Sequence, residues 1–389
     1  MEKELLERVS VCALNRISGY EPLTGHRLIR QLGSASAVFS LSSEDLRDLL
    51  GPYNRFTERI TQALQEECFK ELERLEAKGC VFLPFSDPDY PDALRECPDA
   101  PLGLYVCSAS PPGEIFNKKT NIGIVGTRDC SLYGKEWCTR IVESISQSPS
   151  KPVIVSGLAY GIDITAHRAA LDCGLPTIAV LPTGIEEIYP SRHRADARRI
   201  AKTPGCAVIT DYPPGTAPQA VTFLRRNRII AGLCSGLVLV ESKVKGGGMI
   251  TAKMAFDYGR DVFSLPGRID DLRSGGCNLL LKQKIAEPVT DTGELCEALG
   301  LGSFKRRKKK DLLEEVRSRY SADVSPGEMD AILEIVQAVK AERGISLDEL
   351  CRKTCTDYSD LSRRAMMLQS DSFLDIDLMQ RCSIHPKNV

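Results

Sequence analysis

The stretch Phe223-Leu224-Arg225-Arg226-Asn227-Arg228 places three arginines within four positions, directly before an apolar run. A guanidinium is planar, permanently charged, and presents paired N–H donors that match phosphate or carboxylate oxygens. Read as the start of a helix, the segment puts these cations in the first turn, where the helix dipole opposes them. They need an anionic partner there, either an internal carboxylate or a phosphate from outside the chain.

Other residues of the same chemical type follow short apolar runs. After "NIGIV" comes "GTRDCSLYG", where Gly126 permits a tight turn and Arg128 stands at the run's tip. The run "PVIVS" ends at Ser156 and leads through Gly157 and Gly161 into a helical pattern. Glycines let backbone N–H groups approach an anion, and a helix N-terminus adds positive potential. After "GLVLVE" come Lys243, Lys245 and Gly246-Gly247-Gly248, which can form a backbone nest. Arg192, Arg194, Arg268 and Arg273 with Gly275 follow other runs. Each tip alone also reads as an ordinary turn with a surface cation, and none matches GxGxxG or a P-loop. Asp163 and His167, four apart, have the types of an acid–base pair. The plainer reading is that Asp163 complements a helix N-terminus and His167 packs locally. Phe223 and Tyr133 are candidate stacking platforms, although a Phe at a helix start also packs into cores. Together the tips describe a long positive rim, which suits an extended polyanion better than one small nucleotide.

A parallel sheet must position these tips. From Asn121 to about Leu299, apolar runs ("NIGIV", "PVIVS", "TIAVL", "CAVIT", "GLVLVE", "DVFSLPG") alternate with amphipathic stretches such as "GKEWCTRIVESISQ" and "DITAHRAALDC". Continuous apolar runs mark strands buried on both faces, so the fold class is α/β with a doubly wound, mostly parallel, Rossmann-like sheet. Residues 1–84 show helical spacing and are expected as a small helical domain, followed by the sheet domain over 85–302. The run "KRRKKK", Lys305 to Lys310, reads as a basic linker over 303–325, with a nucleic-acid tail as the alternative. Residues 326–389 carry short helices and a closing "FLDIDLMQRCSIHP" that alternates like a hairpin, an order that fits a winged-helix-like module.

Composition narrows the classes. The 389 residues carry 51 Lys+Arg and 52 Asp+Glu, a formal charge of −1, so any anion binding comes from local patches. The 15 cysteines are odd in number, lie in apparent core segments and form no CxxC pair. They read as buried reduced thiols rather than a disulfide scaffold or a metal site. The charged start and the lack of a long apolar stretch lead us to expect a cytoplasmic protein with no membrane association.

Six segments, "IVGTRDCSLYG", "VIVSGLAYGIDITAHRAAL", "TIAVLPTGIEEIYP", "FLRRNRIIAGL", "VESKVKGGGMITA" and "RSGGCNLLL", occur in this order. Together they resemble the DNA-processing protein A family (DprA/Smf) over about residues 85 to 300. The resemblance implies an extended Rossmann-like fold, often with a sterile-alpha-motif-like or helix-hairpin-helix-like domain before it and a winged-helix-like domain after it. It implies single-stranded DNA binding, a homodimer formed through the Rossmann-like domain, and loading of the RecA recombinase in natural transformation. No catalytic activity, cofactor or metal is implied. By motif, the DNA-binding residues would be Arg128, Arg225, Arg226 and Arg228, with Phe223 and Asn227 in the same segment. Gly126, Ser156, Gly157, Gly161, Lys243, Lys245, Gly247 and Gly248 would line the neighbouring loops. Two departures stand out: Leu224 replaces the proline common before "RRNR", and Gly246-Gly247-Gly248 replaces a common "SGS".

The expectation is therefore a non-enzymatic mediator that holds single-stranded DNA. The competing expectation is a small-nucleotide enzyme related to the phosphoribohydrolases. Those share a "PGGxGTxxE" stretch, where this chain has "LPTGIEEIYP" and "LPGRIDDLRSGG".

Overall fold

The apolar runs form strands because each is too short for a helix and finds packing partners on both faces. In the computed structural model these are β1 (Cys80–Pro84), β2 (Gly103–Cys107), β3 (Asn121–Val125), β4 (Val153–Ser156) and β5 (Thr177–Val180). They continue as β6 (Ala207–Thr210), β7 (Gly236–Leu239), β8 (Asp261–Ser264) and β9 (Glu287–Pro288). The structure describes all residues except 1, 20, 52, 117–119, 303–311, 322, 343, 378 and 386–389. The basic run Lys305–Lys310 lies outside the described residues. The chain divides into two compact units, residues 1–304 and 305–389.

The first unit holds one nine-stranded sheet in the order β1-β2-β6-β5-β4-β3-β7-β8-β9. Every pairing from β6 across to β9 is parallel, while β2 runs antiparallel to β6 and β1 antiparallel to β2. The chain steps outward from β3 to β6, then returns through the helix Ala220–Leu233 to place β7 on the other side of β3. The strand order thus reverses between β3 and β7. Ligands of such sheets bind beyond the carboxyl ends of the strands at that reversal.

Val155, Ile178, Val180, Leu237 and Leu239 pack into one core with Ile229 and Leu233 of the Ala220–Leu233 helix and Ala252 of the Gly247–Asp257 helix. Ile122, Ile124, Ile154 and Val238 pack into another with Ile141 and Ile145 of the Leu132–Ser146 helix and Ala166 of the Ile162–Asp172 helix. Burial on both faces explains why these strands show no polar alternation.

The helical reading of residues 1–84 changes in two ways. Cys80–Pro84 is a strand of the sheet, because a short continuous apolar run is strand-sized. The helices Glu2–Ser18, Pro22–Leu32 and Gln62–Glu76 also share a core with the sheet, setting Leu14, Leu28 and Leu72 beside Phe82, Tyr105 and Val208. Asn15 adds a long-range tie, its Nδ2 donating to the carbonyl of Asp211 at 2.8 Å. The expectation of reduced thiols is corrected at one pair. The antiparallel register sets Cys80 directly opposite Cys107, and the two form a disulfide; the other cysteines form none.

The second unit contains the helices Leu312–Tyr320, Pro326–Ala341, Leu347–Thr354 and Tyr358–Ser370. Its strands β10 (Ile345–Ser346), β11 (Leu374–Ile376) and β12 (Arg381–Ile384) form an antiparallel sheet in the order β10-β12-β11. The order is two helices, a strand, two helices and a hairpin; the first helix, Leu312–Tyr320, corrects the expectation of a linker over 303–325, since Leu312, Val316 and Tyr320 pack into this unit's core. Pro at the first turn after the Ser325 cap starts one helix, and a Ser346–Glu349 capping box starts another. Ile332, Val336, Leu350, Leu361 and Leu374 fill the core.

On this unit's surface, Glu328 accepts from Arg364 through both oxygens, at 3.0 and 2.7 Å, and from Arg363 at 2.7 Å. Arg364 first, then Arg363, holds its carboxyl down at about 2. A depressed carboxylate stabilises the fold above its unfolded value and loses that contribution as pH falls toward the folded value. Carbon-detected NMR of the intact protein should find Glu328 titrating near 2. Arg364→Ala should return it toward the ordinary value of about 4.3.

Candidate nucleic-acid interface

The tips of β3, β4 and β7 are built against one another through glycine. A Cβ on Gly126 would lie 2.6 Å from Ile162 and 2.9 Å from the carbonyl of Glu241. Gly161 sits at φ +77°, and a Cβ there would strike the Thr127 carbonyl. Gly248 approaches Gly126, with 3.3 Å between its would-be Cβ and the Gly126 Cα. These three glycines are required by chain against chain. Gly247 differs: it is exposed, nothing lies within 4 Å of its would-be Cβ, and it opens the Gly247–Asp257 helix. Across the reversal, Thr127 N–H donates to the Glu241 carbonyl at 2.7 Å. The buried Glu241 carboxylate accepts from the Ser131 N–H at 2.9 Å and from the Ser131 hydroxyl, locking the β3 and β7 tips together.

The arginine segment does not start its helix. The helix begins at Ala220 with a Gln219–Thr222 capping box, so Arg225, Arg226 and Arg228 fall in its second and third turns. The expected opposition of the dipole is corrected accordingly, because that effect is confined to the first turn. The three side chains have different fates. Arg226 is buried, its Nη1 donates to the carbonyl of Val180 at 2.8 Å, and its guanidinium occupies the space a Cβ on Gly157 would need. Its Nε has no hydrogen-bond partner among the described residues. Burial pulls its affinity for a proton down, with Asp163 pulling the other way. An arginine so perturbed is still cationic at neutral pH. Burial pushes the Asp163 carboxyl up, and Arg226 is the largest influence opposing this. Arg228 is also buried, but it pairs with the Asp211 carboxylate and donates to the Asp99 carbonyl. Its charge is answered inside the protein. Arg225 is half-buried and Asn227 is buried.

Above this base lies a cation and aromatic layer. The exposed Arg128 sits over the Phe223 ring, 4.6 Å from its centroid. Tyr189, from the β5 tip, meets Phe223 edge-on at 5.3 Å, and Tyr160, from the β4 tip, meets His193 at 5.0 Å. His193 in turn donates from Nδ1 to the carbonyl of Leu158 at 2.8 Å, holding a residue with φ +56° in the β4 turn. Lys243 and Lys245 stand exposed beside the open Gly247. Arg128, Lys243 and Lys245 form no ion pair among the described residues, whereas Arg273 pairs with Asp129 at 3.1 Å and Arg268 with Asp270 at 2.9 Å.

Two side chains are internal supports. The Ser156 hydroxyl is buried and donates to the Ile124 carbonyl at 2.6 Å. His167 is fully buried; its Nδ1 meets the Thr177 hydroxyl at 2.7 Å, and that hydroxyl donates to the Ile154 carbonyl at 2.7 Å. Because Thr177 spends its proton on Ile154, His167 is the donor to Thr177. Burial pulls the ring's value down to about 3, so it is neutral. Tyr160 and Tyr189 are site residues that the sequence analysis did not single out. A tyrosine following a turn at two neighbouring tips was the signal available.

A doubly wound, mostly parallel sheet with its strand order reversed between β3 and β7 makes the first unit a Rossmann-like α/β domain. The chain belongs to the DNA recombination-mediator protein A family, whose model matches residues 81–300. It is 31% identical to the protein Smf of Synechocystis over 92% of this chain and 94% of that one. It is 36% identical to the DNA processing protein DprA of Streptococcus pneumoniae over 61% of this chain and 80% of that one. The crystal structure of the Streptococcus pneumoniae protein aligns with a TM-score of 0.57 and 30% identity over 76% of this chain and 96% of that one. DNA processing protein A from Helicobacter pylori, a protein with a single-stranded DNA binding mode, aligns with a TM-score of 0.51 and 26% identity over 58% of this chain and 97% of that one.

Two glycine substitutions should separate packing from access. Gly157→Ala must displace the buried Arg226 guanidinium from its carbonyl and should cost about 2–4 kcal/mol. Gly247→Ala enters open space and should stay within about 0.5 kcal/mol of the parent. Urea denaturation of both variants measures the difference.

Proposed function

We propose that this chain binds single-stranded DNA and acts as a recombination mediator. The observation that carries this reading is Arg128 stacked on Phe223 above the buried cation of Arg226. A phosphate reaches Arg128 from solvent, and a base can stack beside Phe223, Tyr189 or Tyr160; every base has a π-face, so the grip tolerates sequence. Arg225, Lys243, Lys245 and the backbone at Gly247 and Gly248 extend the track for neighbouring phosphates. Gly126, Gly157 and Gly161 keep the tips close, and Ser156, Asn227 and Arg228 support them from within.

The family resemblance extends the proposal. Coated DNA is handed to the RecA recombinase, in the cytoplasm, during natural transformation, and the protein acts without catalysing a reaction. The working form is a homodimer through the Rossmann-like domain, for which the exposed Ile250 and Phe256 supply apolar surface. Among the described residues no helix is long and apolar enough to cross a membrane.

Fluorescence anisotropy with labelled oligo-dT across a salt series tests the core of the proposal. Each phosphate neutralised should contribute a slope of about −0.7 in log affinity against log salt. Arg128→Ala should make that slope shallower by about one such contribution, and Phe223→Ala should cost ~1–3 kcal/mol of binding. Arg268→Ala, which removes a cation already paired to Asp270, should leave affinity unchanged. A salt-insensitive affinity, or release of free base from a nucleoside monophosphate, would favour the small-nucleotide enzyme instead.

A further inference from the structure

A second cationic surface lies beside the helix Arg194–Lys202; it takes Arg194 out of the expected strand-tip rim and uses none of the residues proposed above to hold DNA. There, a cleft of about 360 Å³ opens between that helix, the loop carrying Ile185 and Ile188, and the sheet. Its floor includes the cross-strand pair Cys107 and Val208, which the β2–β6 register sets opposite each other. Arg194, Ala197, Arg198 and Ala201 occur at positions i, i+3, i+4 and i+7, so one stripe of the helix forms a wall. The two alanines keep that wall low, and the two arginines rim it.

The charges on this helix divide by face. Asp196 is paired with Arg168 at 2.9 Å and Arg199 with Asp172 at 2.9 Å, so the charges turned toward the helix Ile162–Asp172 are matched. Arg194 and Arg198, on the cleft, are exposed and make no hydrogen bond or ion pair among the described residues. The carboxylate that lines the cleft, Glu186, is held by Arg74 at 2.7 Å and Lys78 at 2.6 Å. The rim is therefore cationic over an aliphatic floor. Among the described residues no aromatic ring lines the cleft, which sets it apart from the proposed DNA rim, where rings would receive bases.

We propose that this cleft docks an acidic segment of a partner protein, seating an aliphatic side chain on the floor between carboxylates held by Arg194 and Arg198. Aliphatic burial supplies the contact area, and the paired guanidiniums select carboxylates over neutral or basic chains. A nucleic acid finds the charge there but no stacking partner, so the peptide is the better fit. The proposal stands on this cleft alone and does not depend on how the strand-tip site is used.

The probe is a short fluorescein-labelled peptide of alternating aspartate and leucine, titrated with the full chain at low salt. Labelled oligo-dT is run in parallel. Two variants act by different means: R194E/R198E reverses the rim charge at exposed positions, and A201W fills the cleft without changing charge. Both should weaken the peptide by at least about tenfold and leave oligo-dT affinity unchanged. Replacing the leucines of the probe with serine should weaken it comparably, and matched melting temperatures confirm that the variants are folded. Failure of the parent protein to bind the peptide overturns the proposal, as does binding that survives both variants. Parallel loss of oligo-dT in the charge-reversed variant overturns it too, by assigning the surface to nucleic acid.

Discussion

A guanidinium inside the protein, at the carboxyl ends of β4 and β5, is the constraint around which the site is arranged. A charge taken out of water needs compensating dipoles or charges nearby, and losing them costs several kcal/mol. Arg226 finds the Val180 carbonyl at 2.8 Å and the field of the buried Asp163. It fits only because position 157 has no side chain. The β4 turn must therefore be glycine there, and the β5 strand must end with its carbonyl turned toward the helix. The helix must present its second turn, rather than its first, to the sheet. The positive potential this leaves beneath Arg128 and Phe223 is fixed by the fold. It does not depend on where long surface side chains happen to lie, and a low-dielectric setting strengthens it.

Whole-chain charge says little about such a site. The chain is nearly neutral, yet its cations fall into two groups. Arg228, Arg268 and Arg273 are answered by Asp211, Asp270 and Asp129, and they serve as fasteners. Arg128, Lys243 and Lys245 have no such carboxylate among the described residues. Arg273 shows how the groups cooperate: by clasping Asp129 it ties down the loop that carries Arg128. Local imbalance, held by internal pairs, produces a positive rim on a chain with formal charge −1.

This division also explains what the sequence could and could not reveal. The parallel sheet was legible because strands buried on both faces leave continuous apolar runs, as in Ile122–Val125 and Leu237–Val240. The tip glycines were visible as residues, but their reasons were not. Gly126, Gly161 and Gly248 serve contacts between loops distant in sequence, and only Gly247 faces open space. The arginines were legible as a cluster and misplaced by a turn, because a Gln219–Thr222 capping box carries little sequence signal beside the stronger Ser, Asp or Asn caps. Which arginine is buried and which is paired depended on Asp163 and Asp211, which sequence proximity does not connect to them. The joining of the N-terminal helices to the sheet was hidden for the same reason. Helical periodicity shows that Leu14 and Leu72 face a core, but not that Tyr105 and Val208 belong to it.

Two cationic surfaces on one unit would compete for the same anions if charge were their only property. The aromatic and aliphatic groups beneath the charges separate them. Phe223, Tyr189 and Tyr160 offer flat, polarizable faces beside exposed or buried cations, and a stacked base gains contact there that an aliphatic side chain does not. Ile185, Ile188 and Val208 offer a concave aliphatic floor, which a leucine or isoleucine fills and a planar base meets only at its edge. Each surface therefore discriminates by what lies under its charges. Charge alone would attract either kind of anion to either surface, and the side chains beneath it would decide which one stays. Taken together, the two proposals give one near-neutral protein separate places for a nucleic acid and for an acidic protein segment.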